Sequence, residues 1–241
     1  MPKTRHSIVN PVFCAVDRPD LDGAADFVRR LRPELGGIKL GLEFFMAQGP
    51  AGIRRMGELG LPIFLDAKLH DIPNTVAGAM RGVVDLPVAM VTLHAMGGSA
   101  MMRAAVEIAD ASASRPLVLA VTVLTSLDQG DLDATGQRGT PTEQALRLAD
   151  LALSAGCHGI VCSPLEVEAI RREFGGVPRL VVPGVRPKTG DDDQKRTLDA
   201  ADAIKAGADI VVIGRPITAA PDPAAAARAI QASLDGVAGA A

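Results

Sequence analysis

The sequence predicts a single (β/α)8 TIM barrel, and three observations predict it. Eight short apolar runs recur along the 241 residues. An amphipathic helical pattern follows nearly every run, and most of the runs lead straight into Gly, Pro or a polar residue. A doubly wound sheet shares the alternation, but no G-x-G-x-x-G follows the first run.

The elements follow in order. VFCAVD (12–17) leads into the helical DLDGAADFVRRLRPEL. GIKLG (37–41) leads into EFFMAQGPAGIRRMGELG, which Gly49-Pro50 breaks into two short helices. IFLDAK (63–68) precedes PNTVAGAMRGVVD, and MVTLHA (90–95) precedes GGSAMMRAAVEIADAS. LVLAVTVL (117–124) is followed by a long polar loop at 125–143, with TEQALRLADLALSAG as its helix. GIVCS (159–163) precedes PLEVEAIRREFGG. RLVVPGV (179–185) enters a second polar loop at 186–196, then QKRTLDAADAIKAG. DIVVIGR (209–215) is the eighth run, and DPAAAARAIQASLDG closes the chain. Runs so short and rich in Val and Ile read as strands buried on both faces. No linker or low-complexity stretch divides them, so residues 1–241 are expected to form one catalytic domain.

Composition excludes several function classes. A formal net charge of −3, with no Trp, no Tyr and six Phe, supplies neither a basic surface nor a base-stacking platform, so no nucleic-acid partner is expected. Cys14, Cys157 and Cys162 are odd in number and form no C-x-x-C, which argues against a disulfide framework and for a reducing, cytoplasmic setting. The opening MPKTRHSIVN has no apolar segment of a secretory leader, and no run reaches the ~18 apolar residues of a spanning helix, so no membrane association is expected.

The strand ends carry the chemistry. Asp17 ends the first strand, Asp66 and Lys68 the third, with Asp71 three residues on; His94 ends the fourth and Thr125 follows the fifth. Pro183, Gly184 and Arg186 end the seventh, Gly214 and Arg215 the eighth. In this fold the C-terminal ends of the strands form the active site. Side chains alternate along a strand, so Asp66 and Lys68 share a face while Ala67 takes the other. If Ile38 and Leu40 pack outward on helices, Lys39 points into the barrel, beside Asp66 on the neighbouring strand. The expected result is an alternating array of Lys39, Asp66, Lys68 and Asp71. On the other side of the mouth, the glycines and guanidiniums of PGVR and GRP suit a phosphate, with Gln194 within reach from the polar loop. His94 is either an acid–base group or a structural histidine. No H-x-H, HExxH or Cys/His cluster marks a metal site.

DAKLHDIPNT, VTVLTS, PGVRP…GDDDQKR and VIGRPIT, in this order and spacing, make the chain resemble the orotidine 5′-phosphate decarboxylase family over residues 12–222. The resemblance implies a barrel enzyme of pyrimidine biosynthesis that uses neither metal nor organic cofactor. It implies that Lys68 protonates C6 of the pyrimidine, that Asp66 lies near the substrate carboxylate, and that Lys39 bridges Asp66 and the ribose. It further implies a homodimer in which Asp71 and Thr75 reach the partner's site. Asp17 is implied at the ribose hydroxyls, Thr125 at the pyrimidine edge, and Arg186, Gln194, Gly214 and Arg215 at the phosphate. Ala67 stands where the family commonly has Leu, and it should point away from the substrate.

Two other readings are open to the same barrel. Sugar-phosphate decarboxylases of the superfamily carry a similar Asp-x-Lys-x-x-Asp array but need Mg2+, held by a carboxylate on the second strand. Lys39 stands there instead. A non-catalytic nucleotide-phosphate-binding barrel is the second alternative, although no charged member of the array is missing.

Overall fold

The strand–helix alternation closes on itself. In the computed structural model, which describes residues 10–185 and 198–235, eight parallel strands pair in chain order and the eighth returns to the first. They are β1 (Val12–Ala15), β2 (Gly37–Leu40), β3 (Ile63–Leu69), β4 (Met90–His94), β5 (Leu117–Val121), β6 (Gly159–Val161), β7 (Arg179–Val182) and β8 (Ile210–Ile213). All but β3 end before the apolar run that predicts them, and past several of these ends residues such as Asp17, Leu124, Cys162, Pro183 and Gly214 line the mouth.

Alternation along the strands produces two apolar layers. Cys14, Ile38, Leu40, Ile63 and Leu65 join the outer layer between strands and helices. Phe13, Phe64, Met90, Leu119, Val181 and Ile210 pack together as the barrel interior. Gly37 makes room for one of them: a Cβ there would fall 2.2 Å from the Phe13 ring. Each such buried side chain contributes about 1.5–3 kcal/mol.

Ten helices lie among the described residues. The longer ones are α1 (Leu21–Leu31), α2 (Leu42–Gly57), α3 (Pro73–Val83), α4 (Gly98–Ala111), α6 (Pro141–Ser154), α7 (Val167–Phe174) and α10 (Pro223–Asp235). The short ones are α5 (Gln129–Ala134), α8 (Ala200–Lys205) and α9 (Arg215–Thr218). As expected, α2 is kinked at Gly49, which takes φ 56° and ψ −159° before Pro50. The stretch 125–143 is not the continuous loop its composition suggests. Asp128 and Asp131 cap each other's backbone N–H groups, and this reciprocal box starts α5. A further short helix, α9, begins at Arg215, directly after β8.

The N-terminal end of the barrel is tied by charge. Asp209, just ahead of β8, accepts from Arg171 at 2.5 Å, from Arg179 at 3.1 Å and from the Leu180 N–H at 2.7 Å. These contacts join α7, β7 and β8 on the face opposite the mouth. No described helix is long and apolar enough to cross a membrane.

Candidate active site

A cavity of about 660 Å3 opens at the C-terminal ends of the strands. Its lining brings together Asp17, Lys39, Asp66, Lys68, Thr125, Gly214 and Arg215, seven of the residues that the sequence singles out. Ala15, Phe64, Val121, Val161 and Val212 line it as well and supply its apolar surface. Among the described lining residues three are cations and two are carboxylates, a balance that suits an anionic ligand. Arg186 and Gln194 lie outside the described residues.

Lys39 occupies its expected face. Its neighbours Ile38 and Leu40 belong to the outer layer, and Lys39 itself is 9% exposed. Its partner differs from the expectation: Nζ donates to Oδ1 of Asp17 at 2.6 Å rather than to Asp66. The register puts both carboxylates near Lys39. Ala15 on β1 and Phe64 on β3 lie level with Lys39, so Asp17 and Asp66 each stand two residues beyond it on either side. Asp66 is already engaged by Lys68, which leaves Asp17 for Lys39. Gly41 keeps this pair unobstructed, since a Cβ there would stand 2.9 Å from Lys39 Nζ and 3.2 Å from Asp17 Oδ1.

Strand β3 delivers the second pair, but not by simple alternation. Between Leu65 and Leu69 it advances four residues while β4 advances two, from Val91 to Leu93. The bulge sits on the site, and Lys68 takes φ +48°, a left-handed conformation uncommon for a residue with a side chain. Lys68 Nζ then curls back to Asp66 Oδ2 at 2.6 Å, with both side chains partly buried. Ala67 packs against the outer layer, as expected.

Sequence reasoning missed Thr92. This fully buried β4 residue accepts the Lys68 backbone N–H on its hydroxyl at 2.9 Å and donates to Asp66 Oδ1 at 2.8 Å. In sequence it is one more threonine in an apolar strand. Its inward position two residues before His94 was the available signal.

Asp71 and Thr75 are exposed and do not line the cavity. Asp71 accepts its neighbour's N–H, from Ile72, at 2.6 Å. The described part of the array is therefore two pairs, Asp17–Lys39 and Asp66–Lys68, with Asp71 apart. His94 is half-buried, its ring centroid 5.5 Å from that of His70. Burial lowers its pKa, His70 and Lys68 lower it further, and Asp66 opposes them. Among the described residues no cluster of three or more His, Cys, Asp or Glu could hold a metal ion.

A closed parallel barrel with ammonium–carboxylate pairs at its C-terminal mouth defines the class: this is a (β/α)8-barrel enzyme. Comparison with known proteins narrows the class. The family model described as orotidine 5′-phosphate decarboxylase / HUMPS family matches residues 10–230. The orotidine 5′-phosphate decarboxylase of Paramagnetospirillum magneticum is 52% identical over 233 residues, covering 94% of this chain and 99% of the relative. That of Anaeromyxobacter sp. strain K is 53% identical over 224 residues, covering 92% and 97%. The crystal structure of orotidine 5′-phosphate decarboxylase from Lactobacillus acidophilus superposes with a TM-score of 0.82 at 35% identity, covering 94% of this chain and 99% of that one. The chain belongs to the orotidine 5′-phosphate decarboxylase / HUMPS family.

Proposed function

We propose that the chain decarboxylates orotidine 5′-phosphate to uridine 5′-phosphate, in pyrimidine biosynthesis, with Lys68 as the proton donor. The observation that carries this reading is the Lys68–Asp66 pair, 2.6 Å apart and lining a cavity whose walls are partly apolar.

Breaking the bond between C6 and the carboxylate leaves an electron pair on C6 with no conventional electron sink. A fixed cation must stand where that charge develops, and a proton must arrive at the same atom. The Lys68 ammonium serves both needs: it stabilises the growing charge, then gives its proton to C6 as neutral CO2 departs. Asp66 holds the ammonium and faces the substrate carboxylate, whose repulsion from it vanishes as CO2 leaves. Asp17 and Lys39 take the ribose hydroxyls, and Thr125 takes the pyrimidine edge. Gly214 and Arg215, with Arg186 and Gln194, hold the phosphate. Binding energy from that remote anion positions the ring over Lys68. The reading calls on no metal and no organic cofactor.

The same reading makes the enzyme a cytoplasmic homodimer, with residues 1–241 in one catalytic domain. Asp71 and Thr75 reach the partner's site and complete the charged array there. Their exposure, beside an Ile72 that is 66% exposed, supports an interface at this edge.

The Mg2+-dependent sugar-phosphate decarboxylase is the weaker reading, because Lys39 puts a cation on β2 where a metal-binding carboxylate would be needed. Following the pyrimidine absorbance of orotidine 5′-phosphate with and without EDTA tests both. Turnover unaffected by EDTA is expected. No turnover of this nucleotide would reject the proposal, and loss of activity on chelation would favour the metal-dependent reading.

A further inference from the structure

We propose that Thr92 is a positioning residue that fixes Lys68 and Asp66 in their reactive arrangement, an inference that rests on the role proposed for Lys68. Asp66 as a carboxylate can only accept, and the Lys68 backbone N–H can only donate. The single hydroxyl proton of Thr92 must therefore point at Asp66 Oδ1, 2.8 Å away, while a lone pair receives the N–H of Lys68 at 2.9 Å. With Lys68 Nζ at 2.6 Å from Asp66 Oδ2, the bonds close a ring that runs from the Lys68 backbone through Thr92 and Asp66 to the Lys68 ammonium. Both ends of the lysine are thus tied to one carboxylate.

The ring has a task because the backbone here is unusual. The β3–β4 ladder is interrupted between Leu65 and Leu69. Lys68 N–H takes a side-chain hydroxyl in place of a strand carbonyl, at φ +48°. A side chain disfavours that conformation, and it persists only where surroundings hold it. Thr92, with no exposed surface, is the holder. Without its hydroxyl the Lys68 N–H loses its partner, the backbone can relax toward a regular strand, and the ammonium swings away from the cavity. A misplacement of about 1 Å at a reacting group costs on the order of 100-fold in rate.

The test compares Thr92→Val, which keeps the shape and removes the hydroxyl, with Thr92→Ser, which keeps the hydroxyl. Thr92→Val is expected to lower kcat by about 30- to 100-fold, with uridine 5′-phosphate binding within about three-fold of the unsubstituted enzyme, because the ribose and phosphate contacts lie elsewhere. Thr92→Ser is expected to stay within about three-fold in kcat. A Thr92→Val enzyme of normal kcat overturns the proposal. So does an equal loss of kcat and nucleotide affinity, which would mark a general loss of structure. Should Thr92→Val fail to fold, the serine variant decides alone: slowing by more than about ten-fold overturns the proposal. Absence of turnover in the unsubstituted enzyme would overturn the parent reading and this one together, whereas a Thr92→Val enzyme of normal kcat overturns this one only.

Discussion

Nζ of Lys68 stands 2.6 Å from Oδ2 of Asp66, two residues back along the same strand. In a regular strand, side chains two apart lean the same way without meeting end to end. Here the left-handed turn of backbone at Lys68 folds the ammonium onto the carboxylate, and the pair presents charge of both signs to one cavity.

On the proposed mechanism, replacing Lys68 by Ala removes both the proton donor and the stabilising cation. Turnover of orotidine 5′-phosphate should fall by at least about 10^4-fold, the combined order of general-acid and electrostatic contributions. Steady-state absorbance assays measure the loss, and circular dichroism should show an unchanged fold. Turnover near normal removes Lys68 from the chemistry.

If each site is built from two subunits, two inactive variants should complement. Lys68→Ala and Asp71→Ala proteins, refolded together, should recover about one quarter of native activity, because half the dimers are mixed and one of their two sites is intact. Activity no higher than that of the separate variants would place Asp71 in its own subunit's site or outside catalysis.

The proposed function gives Arg215 to the phosphate. Arg215→Ala should reduce kcat/KM for orotidine 5′-phosphate by about 100-fold, the order expected for losing a charge-assisted contact. Unphosphorylated orotidine should be hardly affected. Equal losses on the two substrates would take Arg215 out of the phosphate site.

His94 makes stability depend on acid. Its folded pKa lies below its unfolded value, chiefly through burial and then through His70 and Lys68. The unfolded state thus binds the proton more readily, so the contribution is complete above about pH 6.5 and is lost as pH falls toward the folded value. The urea midpoint of the unsubstituted protein should drop between about pH 7.5 and pH 5.5, and His94→Gln should drop less. Identical pH dependence in both proteins would exclude His94 as a source.

What the sequence determined by itself is the architecture and the face each side chain takes. Eight alternations of short strand and helix admit a barrel. Period-two spacing puts Lys39 opposite Ile38 and Leu40, and so inside it. The strand ends then supply Asp17, Asp66, Lys68, Thr125, Gly214 and Arg215 to one cavity, and all six line it. These are local properties, carried by neighbours along the chain.

Which groups pair was decided only by the tertiary structure. Asp17 and Asp66 flank Lys39 at matching heights, and nothing in the spacing of residues selects between them. The choice follows from the bulge in β3, which gives Asp66 to Lys68 and leaves Asp17 to Lys39. The contacts of Thr92 were beyond reach for the same reason: its inward face is legible from His94, but its role exists only where β4 meets that bulge. Periodicity states the side of a strand on which a group stands. Contact across strands depends on register and on a backbone angle, and those are set by the packing of the whole closed barrel.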